Sequence, residues 1–312
     1  MTQRGEQFDV VIVGGGPAGL NGALMLGRCR RSVLLCDDGQ QRNLAAPAVR
    51  GLFTRDGTTP AALLEMGRKE LEPYGVEQRQ VRVTDVIREP HGFVVTCSDG
   101  QVVRARKVLL ATGVTDELPD LDGIHALYGQ SVHHCPYCDG WEVRDQPLAA
   151  WGRGRRGVGL ALELLTWSRD VVLCLDGEVL EAALAHRLAL HGIRAEPRRI
   201  QKLDGANGIL RRVVFEDGDW LARRALFFSA PLRQHANLVQ RMGVPLNARG
   251  TAETGRYEKT DIPGLYVAGD ASKDVQFVVV AAAEGAKAAF AINTELAVED
   301  LHAVEQKKDA AG

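Results

Sequence analysis

The sequence predicts an α/β protein built from two Rossmann-like, three-layer ββα dinucleotide-binding domains, the second inserted into the first. Two observations carry the prediction. A glycine-rich turn of the form G-x-G-x-x-G follows an apolar strand twice, at Gly14–Gly19 and at Gly152–Gly157. Each turn leads into a small-residue helical pattern and then a second apolar strand, which is the order of a βαβ unit. A third observation is length: 312 residues accommodate about two domains. The expected boundaries are 1–115 for the first part of the first domain, 116–246 for the inserted domain and 247–312 for the return.

The elements follow in chain order. Phe8–Val13 is a β-branched run, as expected for a buried parallel strand. Leu20–Arg28 reads as a helix, and Val33–Cys36 as the next strand, closed by Asp37. Phe93–Thr96 and Arg212–Phe215 each precede a Ser-Asp-Gly or Glu-Asp-Gly turn, so each reads as half of a hairpin. Val102–Val114 is a strand region ending in Leu109-Leu-Ala-Thr-Gly113. Pro147–Trp151, the Gly152 turn, the helix Val158–Trp167 and the strand Val171–Cys174 repeat the first unit. Leu265–Val267 runs into Gly269-Asp270, and Phe277–Ile292 is an Ala-rich helix. The charged tail from Glu299 is expected to fray.

Composition narrows the function classes. Lys+Arg 38 against Asp+Glu 40 gives a net charge of -2, which leaves no basic excess for nucleic acid. The polar start lacks the basic and apolar regions of a secretory leader, so a cytoplasmic location is expected. Val275–Ala291 is interrupted by Glu284 and Lys287 and is too short and polar to span a membrane. Six scattered cysteines in this length are not a disulfide scaffold.

Three motifs carry chemistry. In Gly14-x-Gly16-x-x-Gly19 the glycines permit a tight turn and close approach of backbone N–H groups to a pyrophosphate, aided by the helix N-terminus. Asp37, at the end of the second strand, is placed to accept from ribose hydroxyls. The Gly152 loop is either a second nucleotide site or a structural turn without a ligand. Cys135-Pro-Tyr-Cys138 can close a short disulfide suited to thiol exchange; the rivals are a pair of inert thiols and a zinc knuckle, and the knuckle lacks further ligands, so no metal is expected. Asp139 follows directly, where a carboxylate either relays protons to a thiolate or serves as an ordinary helix-start residue. At least one of His133 and His134 is expected to be structural. The remaining cysteines, Cys36 and Cys174 among them, read as core thiols.

These motifs together resemble the low-molecular-weight thioredoxin reductase family of flavoproteins. Gly14–Gly19, Ala111-Thr-Gly113, Cys135–Gly140, Gly152–Gly157 and Gly264–Asp270 carry the likeness over nearly the whole chain. It implies an FAD-binding domain in two parts and an inserted NAD(P)H-type domain holding the Cys pair. FAD would lie against Gly14, Gly16, Pro17, Ala18, Gly19, Asp37, Gly113, Gly269 and Asp270, with Gln276 the nearest polar candidate beside the flavin. Cys138 would face the flavin, Cys135 would exchange with substrate, and Asp139 would be the acid/base. A narrower likeness, through Arg50–Gly57, Gly140-Trp-Glu142 and Val275–Gly285, is to the branch that includes gliotoxin- and holomycin-type dithiol oxidases. Those close a disulfide in a small dithiol and pass electrons through FAD to oxygen. A homodimer is also implied.

Two departures bear on the donor. Where thioredoxin reductases place a His-Arg-Arg run to grip the 2′-phosphate of NADPH, this chain has Cys174-Leu-Asp-Gly-Glu178. Asp176 and Glu178 repel a phosphate, which puts NADPH use in doubt. The Arg-Gln pair that follows the Gly-Asp turn in those enzymes is absent. The expected function is therefore oxidation of a dithiol to a disulfide, the substrate being a small dithiol or a thioredoxin-like protein and oxygen a possible electron acceptor. The alternatives are an NADPH-dependent thioredoxin reductase and, from another class, a non-catalytic flavin-binding redox sensor.

Overall fold

The computed structural model describes residues 6–272 and 275–310. They form two compact units. The first comprises residues 6–44, 51–115, 232–272 and 275–310, and the second residues 45–50 and 116–231.

The first unit is organised around strands β1 (Gln7–Val13), β2 (Val33–Asp37), β3 (Glu77–Gln80), β4 (Val83–Glu89), β5 (Gly92–Cys97) and β6 (Val102–Leu110), in the order β3-β2-β1-β6-β5-β4. β3, β2, β1 and β6 run parallel, and the strand Leu265–Val267 joins parallel to the end of β6. β4, β5 and the first half of β6 form an antiparallel meander. β6 serves both layers because it is long: Val102–Ala105 pair with β5, and Val108–Leu110 pair with the Leu265 strand.

Alternation along β1 assigns its two faces. Val10 and Ile12 pack with the helices α1 (Pro17–Arg28) and α2 (Pro60–Leu71) and with the C-terminal helix Val278–Asp309. Val11 and Val13 pack against the meander residues Val86, Phe93 and Val95. The same core takes up Leu238, Val239 and Val244. Burial of these apolar side chains returns the chain to the first unit at Leu232, earlier than the expected 247.

The C-terminal helix reaches Asp309 rather than fraying from Glu299. Ion pairs hold the turns from Glu295 to Asp300. Arg106 reaches Glu299 and Asp300, Arg31 reaches Asp300, and the nearly buried Lys107 reaches Glu295 and Glu299. A row of cations on β6 and beyond α1 thus meets acidic positions on successive helix turns. No helix among the described residues is long and apolar enough to cross a membrane.

The second unit repeats the plan. A parallel sheet has the order Arg194–Glu196, Val171–Cys174, Leu148–Trp151, Ala225–Phe228, Val132–His133. A three-stranded antiparallel meander runs through Ile200–Ala206, Ile209–Phe215 and Trp220–Ala222. Leu148 and Ala150 face the helix Gly154–Leu164, while Ala149 faces the meander. This is the expected α/β class, with two Rossmann-like units, each of three layers: helices, parallel sheet and meander.

Candidate active site

In the first unit four separated segments meet at the carboxyl ends of β1, β6 and Leu265–Val267. Gly14 has φ +107°, and a Cβ there would sit 2.3 Å from the Ala111 carbonyl oxygen. A Cβ on Gly19 would sit 1.8 Å from the Gly14 carbonyl oxygen. The first turn of α1 is therefore closed on itself, and only glycine fits at either place. Gly16 caps α1 with no atom within 4 Å of its Cβ direction, and Pro17 occupies N1, where its missing N–H is not needed. Gly269 has φ +76°, and its Cβ would fall 2.9 Å from that of Ala18, so the Gly-Asp turn abuts the start of α1. Gly269 N donates to buried Glu284 at 2.9 Å, which holds the turn against the C-terminal helix. Gly113 follows Ala111-Thr112 on the same rim, with open space at its Cβ.

The charged residues of this rim are mutually engaged. Asp37 accepts from Gly15 N at 3.0 Å, from Gln41 Nε2 at 2.8 Å and from Arg68 at 3.1 Å. Arg42 lies 3.2 Å from Asp270 and donates to Gln276 Oε1 at 2.5 Å. Gln276 Nε2 and Thr112 Oγ1 are buried without a hydrogen-bond partner among the described residues. Sequence reasoning found Asp37, Asp270 and Gln276 but not Gln41, Arg42 or Arg68. The loop after β2 places Gln41 and Arg42, and the far end of α2 places Arg68. No motif spacing marks either.

In the second unit Cys135 and Cys138 are disulfide-bonded, with Cα atoms 5.3 Å apart. Cys135 caps the one-turn helix Pro136–Asp139, and its Sγ accepts from Cys138 N at 3.1 Å. Asp139 N reaches the Cys135 carbonyl at 3.2 Å, closing the turn. A Cβ on Gly140 would strike the Trp167 ring at 2.7 Å, so the chain leaves this turn pressed against that indole. His133 is buried, with Nδ1 3.4 Å from Asp139 Oδ2. His134 stands 3.0 Å from the Tyr128 hydroxyl, which donates to Asp116 at 2.6 Å. The other thiols differ. Burial, with Cys97 adding to it, pushes the Cys36 thiol up to about 12; burial, with Glu196 adding, does the same to Cys174. Both are core thiols, poor in the thiolate that exchange requires.

The second glycine loop keeps the packing of the first. A Cβ on Gly157 would lie 2.4 Å from the Gly152 carbonyl oxygen. Its helix N-terminus is taken, however. Gly154 N donates to Glu178 Oε1 at 3.0 Å, and Arg153 binds Asp176 at 3.1 Å. Asp176 also accepts from Ile200 N at 3.1 Å.

The pyridine nucleotide-disulphide oxidoreductase family matches residues 8–285. The chain belongs to this family. It is an oxidoreductase, and its cofactor is FAD. The chain is 30% identical to a protein of Arthroderma benhamiae named probable thioredoxin reductase, over 97% of this chain and 84% of that one. It is 28% identical to thioredoxin reductase tcpT of Claviceps purpurea, over 84% and 86%. The crystal structure of HlmI superposes with a TM-score of 0.93 at 35% identity, covering 100% of this chain and 98% of that one.

The rim of the first unit fits a flavin dinucleotide on its own chemistry. Gly16 leaves room at a helix N-terminus, and Gln276 and Thr112 hold buried polar atoms without partners among the described residues. The second loop does not fit a nucleotide pyrophosphate. A carboxylate already sits on the first amide of the helix, and a second carboxylate lies beside it.

Proposed function

We propose that this flavoenzyme oxidises a dithiol to a disulfide through Cys135 and Cys138. One observation carries the reading: the pair is disulfide-bonded in a helix-capping turn whose own amide already donates to Cys135 Sγ. A thiolate released at Cys135 keeps that donor, so the exchange is set up to run through this sulfur.

The steps balance as follows. A substrate thiolate attacks Cys135 Sγ, forming a mixed disulfide while the Cys135–Cys138 bond breaks and Cys138 leaves as thiolate. Asp139 takes the proton of the second substrate thiol, whose sulfur attacks the substrate sulfur of the mixed disulfide. The product disulfide closes, and Cys135 is released as thiolate. The substrate has lost two electrons and the cysteine pair has gained them. Bound FAD supplies a two-electron acceptor for the cysteine pair, with oxygen the final oxidant.

Gly14, Gly16, Pro17, Ala18 and Gly19 would hold the pyrophosphate. Asp37 would take the ribose, and Gly113, Gly269, Asp270 and Gln276 would line the remainder of the rim. Tyr137 and Trp141, both exposed, flank the cysteines and favour a small apolar dithiol over a charged one. The plugged second loop argues against NADPH as donor. A homodimer is expected from the family likeness, and sedimentation velocity checks it.

The test is Cys138→Ser with FAD retained. Dithiol-dependent oxygen uptake should fall by at least about a hundredfold. An unchanged rate would remove the mechanism.

A further inference from the structure

The exchange steps above leave one neighbour of the cysteine turn unused. His133 ends the short edge strand Val132–His133, in register with Phe227 of the adjoining strand. Its ring is 4% exposed and lies against Phe227, with centroids 5.2 Å apart. Neither ring nitrogen has a hydrogen-bond partner among the described residues. A buried polar ring left in this state carries an uncompensated desolvation penalty, which a leucine or phenylalanine would avoid. Packing alone therefore does not account for a histidine here.

The Asp139 carboxylate is within ion-pair range of it. Nδ1 and Oδ2 are 3.4 Å apart, without the alignment of a formed hydrogen bond. The backbone of Asp139 is fixed by its N–H to Cys135 O, but its carboxylate has no hydrogen bond among the described residues. The side chain that sets the carboxylate's direction is thus His133, itself held by Phe227. The tautomer follows from the surroundings. With the proton on Nδ1 the ring offers an N–H to the carboxylate. With it on Nε2 the ring buries an N–H that has no acceptor and turns a lone pair towards the carboxylate.

We propose that His133 is a positioning residue: its Nδ1–H holds the Asp139 carboxylate at the Cys135–Cys138 turn, in the orientation from which it accepts the substrate thiol's proton. The proton moves from the substrate sulfur to Asp139, and His133 keeps its own throughout. The proposal rests on the reading of Asp139 as proton acceptor. The 3.4 Å approach is the disulfide-state geometry, and such contacts commonly tighten when substrate is bound.

The experiment compares His133→Leu, His133→Asn and Asp139→Asn in the FAD-loaded enzyme. Asn carries an amide N–H close to the Nδ1 position, and Leu carries none. Two readouts are taken at fixed pH. One is the rate at which dithiothreitol reduces Cys135–Cys138, followed by acid quench, alkylation and mass spectrometry. The other is the split between kcat and KM for dithiol oxidation. His133→Leu should slow disulfide reduction and kcat by about tenfold with KM unchanged, and His133→Asn should recover to within about threefold of wild type. His133→Leu combined with Asp139→Asn should be no slower than Asp139→Asn alone. Equal rates for Leu and Asn, or additive losses in the double variant, would overturn the proposal. If Asp139→Asn has no effect, the reading of Asp139 fails. If it slows exchange while His133→Leu does not, only the role of His133 fails. Thermal unfolding accompanies each variant, and His133→Phe replaces Leu if Leu does not fold.

Discussion

The two glycine loops are built alike and end differently. Each closes with a glycine whose Cβ would strike a carbonyl oxygen five residues back, Gly19 on Gly14 and Gly157 on Gly152. Each is followed by a helix and a parallel strand. In the first loop Gly16 stays open, and the carboxylate of Asp37 sits one residue earlier, on Gly15 N, paired with Arg68. In the second loop Glu178 occupies the amide of Gly154, the counterpart of Gly16. A one-residue difference in where a carboxylate lands separates a turn able to receive phosphate from one that repels it. Glycine spacing therefore reports the turn, and the neighbouring charge reports the ligand.

The sharpest way to break this comparison is to add one carbon to each turn. Gly19→Ala has no room at 1.8 Å and should cost about 3 kcal/mol or more, leaving a colourless protein. Gly157→Ala, at 2.4 Å, should destabilise the second unit by a similar order while the flavin absorbance per folded chain stays at the wild-type value. A folded but colourless Gly157→Ala protein would mean that the loops are not separable in this way.

A smaller effect tests the plug itself. Glu178→Ala frees Gly154 N and removes a negative charge from the helix N-terminus. Calorimetric titration with NADPH or ADP-ribose should then show affinity gained by about tenfold, equivalent to about 1.4 kcal/mol. No gain would show that the loop backbone, rather than Glu178, excludes the nucleotide. The smallest effect is expected at Arg68→Met. The Arg68 side chain is over a third exposed and solvent screens its charge, so flavin affinity should weaken only about twofold. A large loss there would make Arg68 a direct ligand rather than a partner of Asp37.

Thiol reactivity gives a parallel contrast. With the disulfide reduced, iodoacetamide at pH 8 should label Cys135 and exposed Cys29 well before Cys36 or Cys174, whose thiols burial holds near 12. Peptide mapping reads the order directly. Early labelling of Cys174 would mean that the second sheet opens easily.

Much of this was legible from local pattern. The two βαβ units, the hairpins ending at Asp99-Gly100 and Asp217-Gly218, and the Cys135–Cys138 turn each depend on residues close in sequence, where strand period and turn chemistry are strong signals. The return near Leu232 was not legible, because it is decided by a four-residue helix, Leu238–Arg241, too short to show a period. Nor was the length of the C-terminal helix. Glu299 and Asp300 read as the start of a solvated tail until Arg31, Arg106 and Lys107 are seen beside them.

By itself the sequence determined the α/β class, the redox pair and the paired glycine turns, since each rests on spacing within a few residues. Tertiary structure alone decided which charges meet across that frame: Arg42 beside Gln276, Glu178 on Gly154, His133 against Asp139. Backbone turns are specified by their own residues, whereas a side-chain partnership depends on where distant segments bring their ends, and no local pattern encodes that distance.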